Sequence, residues 1–248
     1  MAERPYLIVS DIHLGAVADA TERAFRDFLG WVGDHAAGRL INGDLFDFWF
    51  EYRTVVPRKH YRVLAALTDL VETGMPVTFL GGNHDAWAGS MLSDDVGMEI
   101  AGEPLERTIA GRRAMVVHGD GVGEGDLPYR VLRKVLRSRA AEWGFRRLHP
   151  DTGARIADWA SSTEGRVNGE MAIEAERSRA AHIEAWARQE MERRPELELI
   201  VAGHAHQPAV IEVSPGRHYV NSGDWVHSFS YVELAEGEAP RLRRWEMG

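Results

Sequence analysis

The chain contains no cysteine. Disulfide cross-links, a thiolate nucleophile and a thiolate-held zinc site are therefore excluded, and any metal must be held by His, Asp, Asn or Glu. No apolar run approaches the ~18 residues that a bilayer-spanning helix requires. The first residues, MAERPYLIVSD, lack the basic start and long apolar stretch of a secretory signal and run straight into a strand-like segment. A soluble cytoplasmic protein is expected. Positive charge is scarce: 29 Lys and Arg against 38 Asp and Glu leave a net charge of -9, so no nucleic-acid partner is expected. Internal repeats and low-complexity segments are absent as well.

What remains is a chain of 248 residues, 44% apolar, long enough to bury a sizeable core. Six short apolar runs, YLIVS, RLIN, VTFLG, AMVVHG, LELIVAG and HYVNS, read as strands covered on both faces, with FSYVEL as a possible last strand. Between the early runs lie helical patterns. Phe25, Phe28, Leu29 and Val32 follow i, i+3, i+4, i+7 spacing behind Thr21 as a candidate N-cap. Val63, Leu67, Leu70 and Val71 form a second stripe that stops before Gly74 and Pro76. Alternating strand and helix predicts an α/β fold with a largely parallel central arrangement.

From about 125 to 195 the strand signal disappears. Tyr129, Leu132, Val135 and Leu136, then Ile156, Trp159 and Ala160, then Ile183, Trp186, Ala187 and Met191 suggest helices. We expect one domain, 1–248, carrying this segment as a helical insertion.

The polar residues behind the apolar runs carry the chemistry. SDIHLG supplies Asp11 and His13, NGDLFDFW supplies Asp44, GGNHD supplies Asn83 and His84, VHGD supplies His118, and AGHAHQP supplies His204 and His206. One such block is an ordinary turn. Five in order, each directly behind an apolar run, are not, because strand ends in an α/β sheet converge on one crevice. Mixed imidazole and carboxylate ligands suit Mn, Fe or Zn and not calcium. Asp11-x-His13 and His204-x-His206 present alternate side chains to one side of an extended segment. Seven ligands with a carboxylate able to bridge suggest two ions about 3.5 to 4 Å apart, a spacing suited to displacement at phosphorus. His35, His60, His149, His182, His218 and His227 lack such a setting and are expected on the surface or in packing.

The ordered set D-x-H, G-D, G-N-H-D, H-G-D, G-H-x-H resembles the calcineurin-like metallophosphoesterase superfamily, from about Tyr6 to Leu234. The resemblance implies an αββα sandwich of two mixed sheets with a dinuclear centre, often manganese. It assigns Asp11, His13, Asp44 and His206 to one ion and Asp44, Asn83, His118 and His204 to the other. His84 would stand beside the leaving oxygen as the catalytic acid or electrostatic stabiliser.

More narrowly, GDLFDFWFEYRTVVP, HGDGVGEGD and the insertion are similar to UDP-2,3-diacylglucosamine hydrolases of lipid A synthesis. That family cleaves a pyrophosphate to UMP and a lipid monophosphate. Asp126 falls where the family uses an acidic residue on the sugar, and Tyr129 follows as in the family. The best-known branch has Arg where this chain has His84.

Between Asp126 and Arg147 stand seven basic residues (Arg130, Arg133, Lys134, Arg137, Arg139, Arg146 and Arg147) against two acidic ones, Asp126 and Glu142. A basic amphipathic segment can contact substrate phosphates, Arg130 and Arg133 among its candidates, or rest on an anionic membrane surface at the cytoplasmic face. Asp47 is expected to bond backbone or a ligand histidine from outside the ligand set. Phe46, Phe48, Trp49 and Phe50 are expected mainly in the core. Two other readings stay open: a phosphodiesterase for nucleotides, dinucleoside polyphosphates or nucleic acid, and a scaffold of the same fold without catalysis. Scaffolds tend to lose ligands, and here all seven are present.

Overall fold

Residues 4–123, 138–153, 155–156 and 169–246 are described by a computed structural model. The apolar runs become strands whose alternate side chains face opposite layers. In β1 (Tyr6–Val9), Leu7 and Val9 point one way and Ile8 the other. Ile41 and Leu40 divide likewise in β2 (Gly38–Asn42), as do Phe79 and Leu80 in β3 (Val77–Leu80).

One set packs on α1 (Asp19–His35) and α2 (Tyr61–Glu72), against Phe25, Phe28, Leu29, Val32, Val63, Leu67 and Leu70. The other set meets a second sheet through Val116, Leu199, Val201 and Val220. The outer face of that sheet, with Met115, Ile200 and Tyr219, is covered by Ile183, Ala187 and Met191 of a long helix, Gly169–Arg193. Four layers result: helix, sheet, sheet, helix. At roughly 1.5–3 kcal/mol per fully buried aliphatic side chain, the intersheet layer is what holds the two halves in register.

The remaining strands are β4 (Glu99–Ala101), β5 (Leu105–Ile109), β6 (Arg112–Val116), β7 (Leu199–Ala202), β8 (Ala209–Ser214), β9 (Arg217–Asn221), β10 (Ser230–Leu234) and β11 (Arg241–Arg244). Six of the eleven form the order β11-β10-β1-β2-β3-β4 and five the order β5-β6-β7-β9-β8. Both sheets are mixed. The β1–β2–β3–β4 and β6–β7–β9 pairings are parallel, as expected, while β10, β11, β5 and β8 join antiparallel at the flanks. The helix expected behind a Thr21 cap begins earlier: Ala18 is the N-cap, no side chain caps it, and Thr21 is buried inside the first turn.

Within the segment from 125 to 195, α3 (Arg139–Phe145) opens at Ser138, whose Oγ accepts from Ala141 N at 3.2 Å. Phe145 packs on Phe48, Phe50 and Trp87, with ring centroids 5.6, 4.9 and 5.1 Å away. Tyr52 Oη donates to Leu148 O at 3.0 Å, and Arg146 Nε to Glu51 O at 3.0 Å. Gly169–Arg193, here α4, is the outer helical layer already described, and its Ile183, Ala187 and Met191 stripe is the one read from the sequence. Tyr129, Leu132, Val135, Leu136, Trp159 and Ala160 lie outside the described residues.

Candidate metal centre

All five motif loops leave the C-terminal ends of parallel strands, β1, β2 and β3 in one sheet and β6 and β7 in the other. They meet. Asp11, His13 and His206 have ligand atoms within 4.8 Å of one another, and so do Asp44, His118 and His204, and His13, Asp44 and His84. His13 Nε2 faces His206 Nε2 at 3.2 Å, and Asp11 Oδ1 lies 3.4 Å from His206 Nε2. His118 Nε2 is 3.2 Å from Asp44 Oδ2 and 3.2 Å from Asn83 Oδ1. Asp44 Oδ2 is also 3.9 Å from His13 Nε2, so its carboxylate stands between the two groups. Bonds of ~2.0–2.2 Å from one ion to His and Asp place neighbouring donors roughly 3 Å apart, and these separations match. The residues present fit divalent ions.

Backbone strain is concentrated here. Asp11, His13, Asp44, His204 and His206 have φ of 55°, 52°, 52°, 63° and 55°, in the left-handed region that costs a non-glycine residue ~1–3 kcal/mol. Those bends turn successive side chains into the crevice. Two glycines give them room. A Cβ on Gly43, at φ 82°, would lie 2.2 Å from His118 Nδ1, and one on Gly82 would lie 2.1 Å from Asp44 Oδ1.

The electrostatics is set by buried carboxylates beside imidazoles. Asp11 and Asp44 are buried, which by itself raises a carboxyl; His206 beside Asp11 and His118 beside Asp44 outweigh that and hold both below the usual range, Asp44 well below. Burial opposes charge on His118 and His206, yet Asp44 and Asp11 drive both upward. His204 goes the other way, down to about 3, through burial and then the charge of His118. The two carboxylates thus favour positive charge on the imidazoles beside them. A divalent ion competes for the same positions, so metal affinity falls as pH falls.

Groups outside the ligand set aim these side chains. His118 Nδ1 donates to Asn42 O at 2.9 Å, which turns Nε2 inward, and Asn42 Nδ2 donates to Val117 O at 2.9 Å. Asp85, fully buried, accepts from Gly82 N at 2.8 Å, Asp44 N at 3.1 Å and Phe46 N at 3.2 Å. Burial and then Asp44 push its carboxyl up to about 6. Sequence reading gave neither Asn42 nor Asp85 a role, although Asp85 is the last letter of GNHD and could have been found there.

His84 N donates to Asp44 Oδ1 at 3.0 Å and its Nδ1 to Asp47 O at 2.6 Å, which fixes the orientation of the ring. The Asp47 carboxylate sits 3.7 Å from His13 Nδ1 and 3.8 Å from His84 Nδ1, beside two of the site histidines. Phe46, Trp49 and Phe50 are buried, as expected, whereas Phe48 is half-buried.

Of the six histidines set aside, His60 and His218 are buried in packing, and His227 is exposed with its backbone N bonded to Asp224. His35 stacks on Trp31, His182 Nε2 bonds Val122 O, and His149 lies 3.8 Å from Asp151. Asp126, Tyr129, Arg130 and Arg133 lie outside the described residues.

The pattern found for the calcineurin-like phosphoesterase family matches residues 4–208, which include all seven candidate ligands. A UDP-2,3-diacylglucosamine hydrolase of Porphyromonas gingivalis is 26% identical over 239 residues, spanning 90% of this chain and 91% of its own. One from Aeromonas hydrophila is 29% identical over 238 residues, spanning 94% and 95%. Among solved structures, vacuolar protein sorting 29 from Cryptosporidium parvum is 13% identical, over 98% of this chain and 97% of its own, with a TM-score of 0.48. With ligand geometry and family pattern covering the same residues, the chain belongs to the calcineurin-like phosphoesterase family and is a metal-dependent phosphohydrolase.

Proposed function

We propose that the protein hydrolyses the pyrophosphate of UDP-2,3-diacylglucosamine, giving UMP and 2,3-diacylglucosamine 1-phosphate. The observation that carries this reading is a groove of about 250 Å³ that begins at Asp47, beside His13 and His84. Leu14, Phe48, Phe50, Val55, Val56 and Pro57 make it apolar, and Arg58 and Lys59 also line it. Val55 and Val56 are 44% and 51% exposed, an unusual outlay of apolar surface unless it meets something apolar. A phosphate centre that opens onto such a groove suits an acylated leaving group better than a free nucleotide. The names of the relatives support the same substrate.

In this reading Asp11, His13, Asp44 and His206 hold one ion and Asp44, Asn83, His118 and His204 the other, manganese for preference, with Fe2+ or Zn2+ as alternatives. The ions supply Lewis-acid stabilisation of the phosphoryl group. His84 is held by its Nδ1 bond to Asp47, so its Nε2 can give a proton to the departing phosphate oxygen or stabilise the charge there. Water adds to one phosphorus of the pyrophosphate, the bond to the lipid-side oxygen breaks, and that oxygen leaves as the lipid monophosphate. Asp126 and Tyr129 would contact the sugar, Arg130 and Arg133 the phosphates, and the part of the 125 to 195 segment that precedes α4 would supply a lid to a single domain.

No helix among the described residues is long and apolar enough to cross a membrane. We place the protein in the cytoplasm, with peripheral contact at the anionic inner face where such a lipid resides and a role in lipid A synthesis. The test is a panel with manganese-loaded protein: UDP-2,3-diacylglucosamine, a dinucleoside polyphosphate and an aryl phosphodiester. Release of UMP from the first at the highest kcat/KM is expected. Preference for the polyphosphate would transfer the reading to nucleotide hydrolysis, which His84 in place of the Arg of the best-known branch favours.

A further inference from the structure

Helix α4 covers the five-stranded sheet, but its N-terminal half also reaches the metal centre. Two contacts locate it. Gln207 Nε2, one residue past His206, donates to Glu176 Oε2 at 3.3 Å. Ile183 presses on the turn behind His118: a Cβ added to Gly119 would lie 3.1 Å from Ile183 Cδ1 and 3.5 Å from His204 Cβ. Arg179 stands three residues after Glu176 and four before Ile183, the spacings that share one helix face. Its side chain therefore springs from between two anchors, each touching a ligand-bearing segment.

Arg179 is exposed and forms no ion pair among the described residues. A guanidinium beside a centre built for two divalent ions meets repulsion unless an anion lies between them. Phosphate is the anion this centre handles, and the planar fork of arginine pairs with two of its oxygens at once. His84 serves the other end, grouped with His13 and Asp44, whereas Arg179 stands one helical turn before Ile183, which packs behind His118 and near His204.

We infer that Arg179 binds the phosphoryl group retained by the attacked phosphorus, across the centre from His84, and so sets affinity for the phosphate-bearing half of the substrate. The inference rests on the metal centre described above and not on the identity of the lipid.

Orthophosphate is the probe, titrated calorimetrically into the manganese-loaded full chain, with metal content measured on each sample. Arg179→Ala should weaken phosphate binding roughly 10- to 100-fold, the loss of one charge-assisted pair. Arg179→Lys should recover part of it, keeping the charge and losing the fork. Arg177→Ala, exposed on the same helix but turned about 200° away, should bind as the unmodified protein does. All four proteins should carry the same metal content, and Arg179→Ala should raise KM for an aryl phosphodiester more than it lowers kcat. Unchanged phosphate affinity in Arg179→Ala overturns the inference. So does loss of metal in both Arg179 variants, which would make the residue a support for the fold. Because orthophosphate is read directly, failure to cleave UDP-2,3-diacylglucosamine would overturn the lipid reading and leave this result standing.

Discussion

Among the described residues, the six-stranded sheet brings the candidate oxygen donors Asp11, Asp44 and Asn83 together with His13 and His84, whereas the five-stranded sheet brings the imidazoles His118, His204 and His206. Two of the three ligand groups need both sheets. The Asp11 and His13 group needs His206, and the Asp44 group needs His118 and His204. Hydrogen bonds cross between the halves at the same place: His204 N donates to both Asp11 oxygens at 2.9 and 3.1 Å, and His118 Nδ1 to Asn42 O at 2.9 Å. Docking the sheets is therefore what assembles the site, and the buried carboxylates of one half find their counter-charge on the other.

That contrast is broken most severely at the carboxylate both groups share. Asp44→Asn replaces an oxygen that serves two groups with an amide nitrogen that binds such ions poorly. Metal analysis should find both ions lost, and turnover should fall at least about 10⁴-fold, since several kcal/mol of charge stabilisation leave with them. His204→Ala, from the imidazole sheet, touches one group only and should leave about one ion per chain, a count that comparison with Asp44→Asn makes decisive.

His84→Ala tests the residue that adjoins the centre without completing a cross-sheet group. Turnover should drop roughly 10²- to 10⁴-fold with metal content intact, and substrates with good leaving groups should suffer less. Equal losses on good and poor leaving groups, with metal also gone, would make His84 structural.

A smaller effect is expected from Gly82→Ala, whose new methyl would collide with Asp44 Oδ1. Displacing a ligand in this way should weaken manganese affinity about 10- to 100-fold, as losses in the shell around a metal do, readable by titration with a chelator.

The smallest separates a histidine that packs from those that face carboxylates. His60 lies on Phe46 and Trp49, and burial, then Lys59, lowers it from 6.5 to about 4. The unfolded chain binds the extra proton between those values, so stability is lost as pH falls from about 6.5 towards 4, by about 2 kcal/mol at pH 5. In metal-free urea unfolding, His60→Phe should show a pH 7.5 to pH 5 difference smaller by that amount. An unaltered pH slope would mean His60 is charged in the folded protein.

The centre was legible because its ligands are chemically conspicuous and sit directly behind apolar runs. Residues that serve the backbone were not. Asn42 and Asp85 look like ordinary turn residues until their hydrogen bonds to His118, Gly82, Asp44 and Phe46 are seen. The central strands were legible for the same reason of burial. By contrast β4 has three residues and β11, Arg241–Arg244, is exposed at all four, so backbone pairing with β10 makes that strand and no apolar pattern announces it. Thr21 misled because a hydroxyl near a helix start resembles a cap, whereas here tertiary packing buries it in the first turn. The stripe Ile183, Ala187 and Met191 was readable, but the face it covers belongs to strands far away in sequence, and the contact of Glu176 with Gln207 depends on that packing.

The two sheets together would hold a pair of divalent ions, with Asp44 contributing to both ligand groups. Manganese titration of the metal-free protein, followed by electron paramagnetic resonance, tests it directly. Two ions per chain with an exchange-coupled spectrum are predicted, because the Asp44 carboxylate lies between the two ligand groups. A single ion at saturation, or two ions whose spectra are the sum of isolated centres, would contradict it.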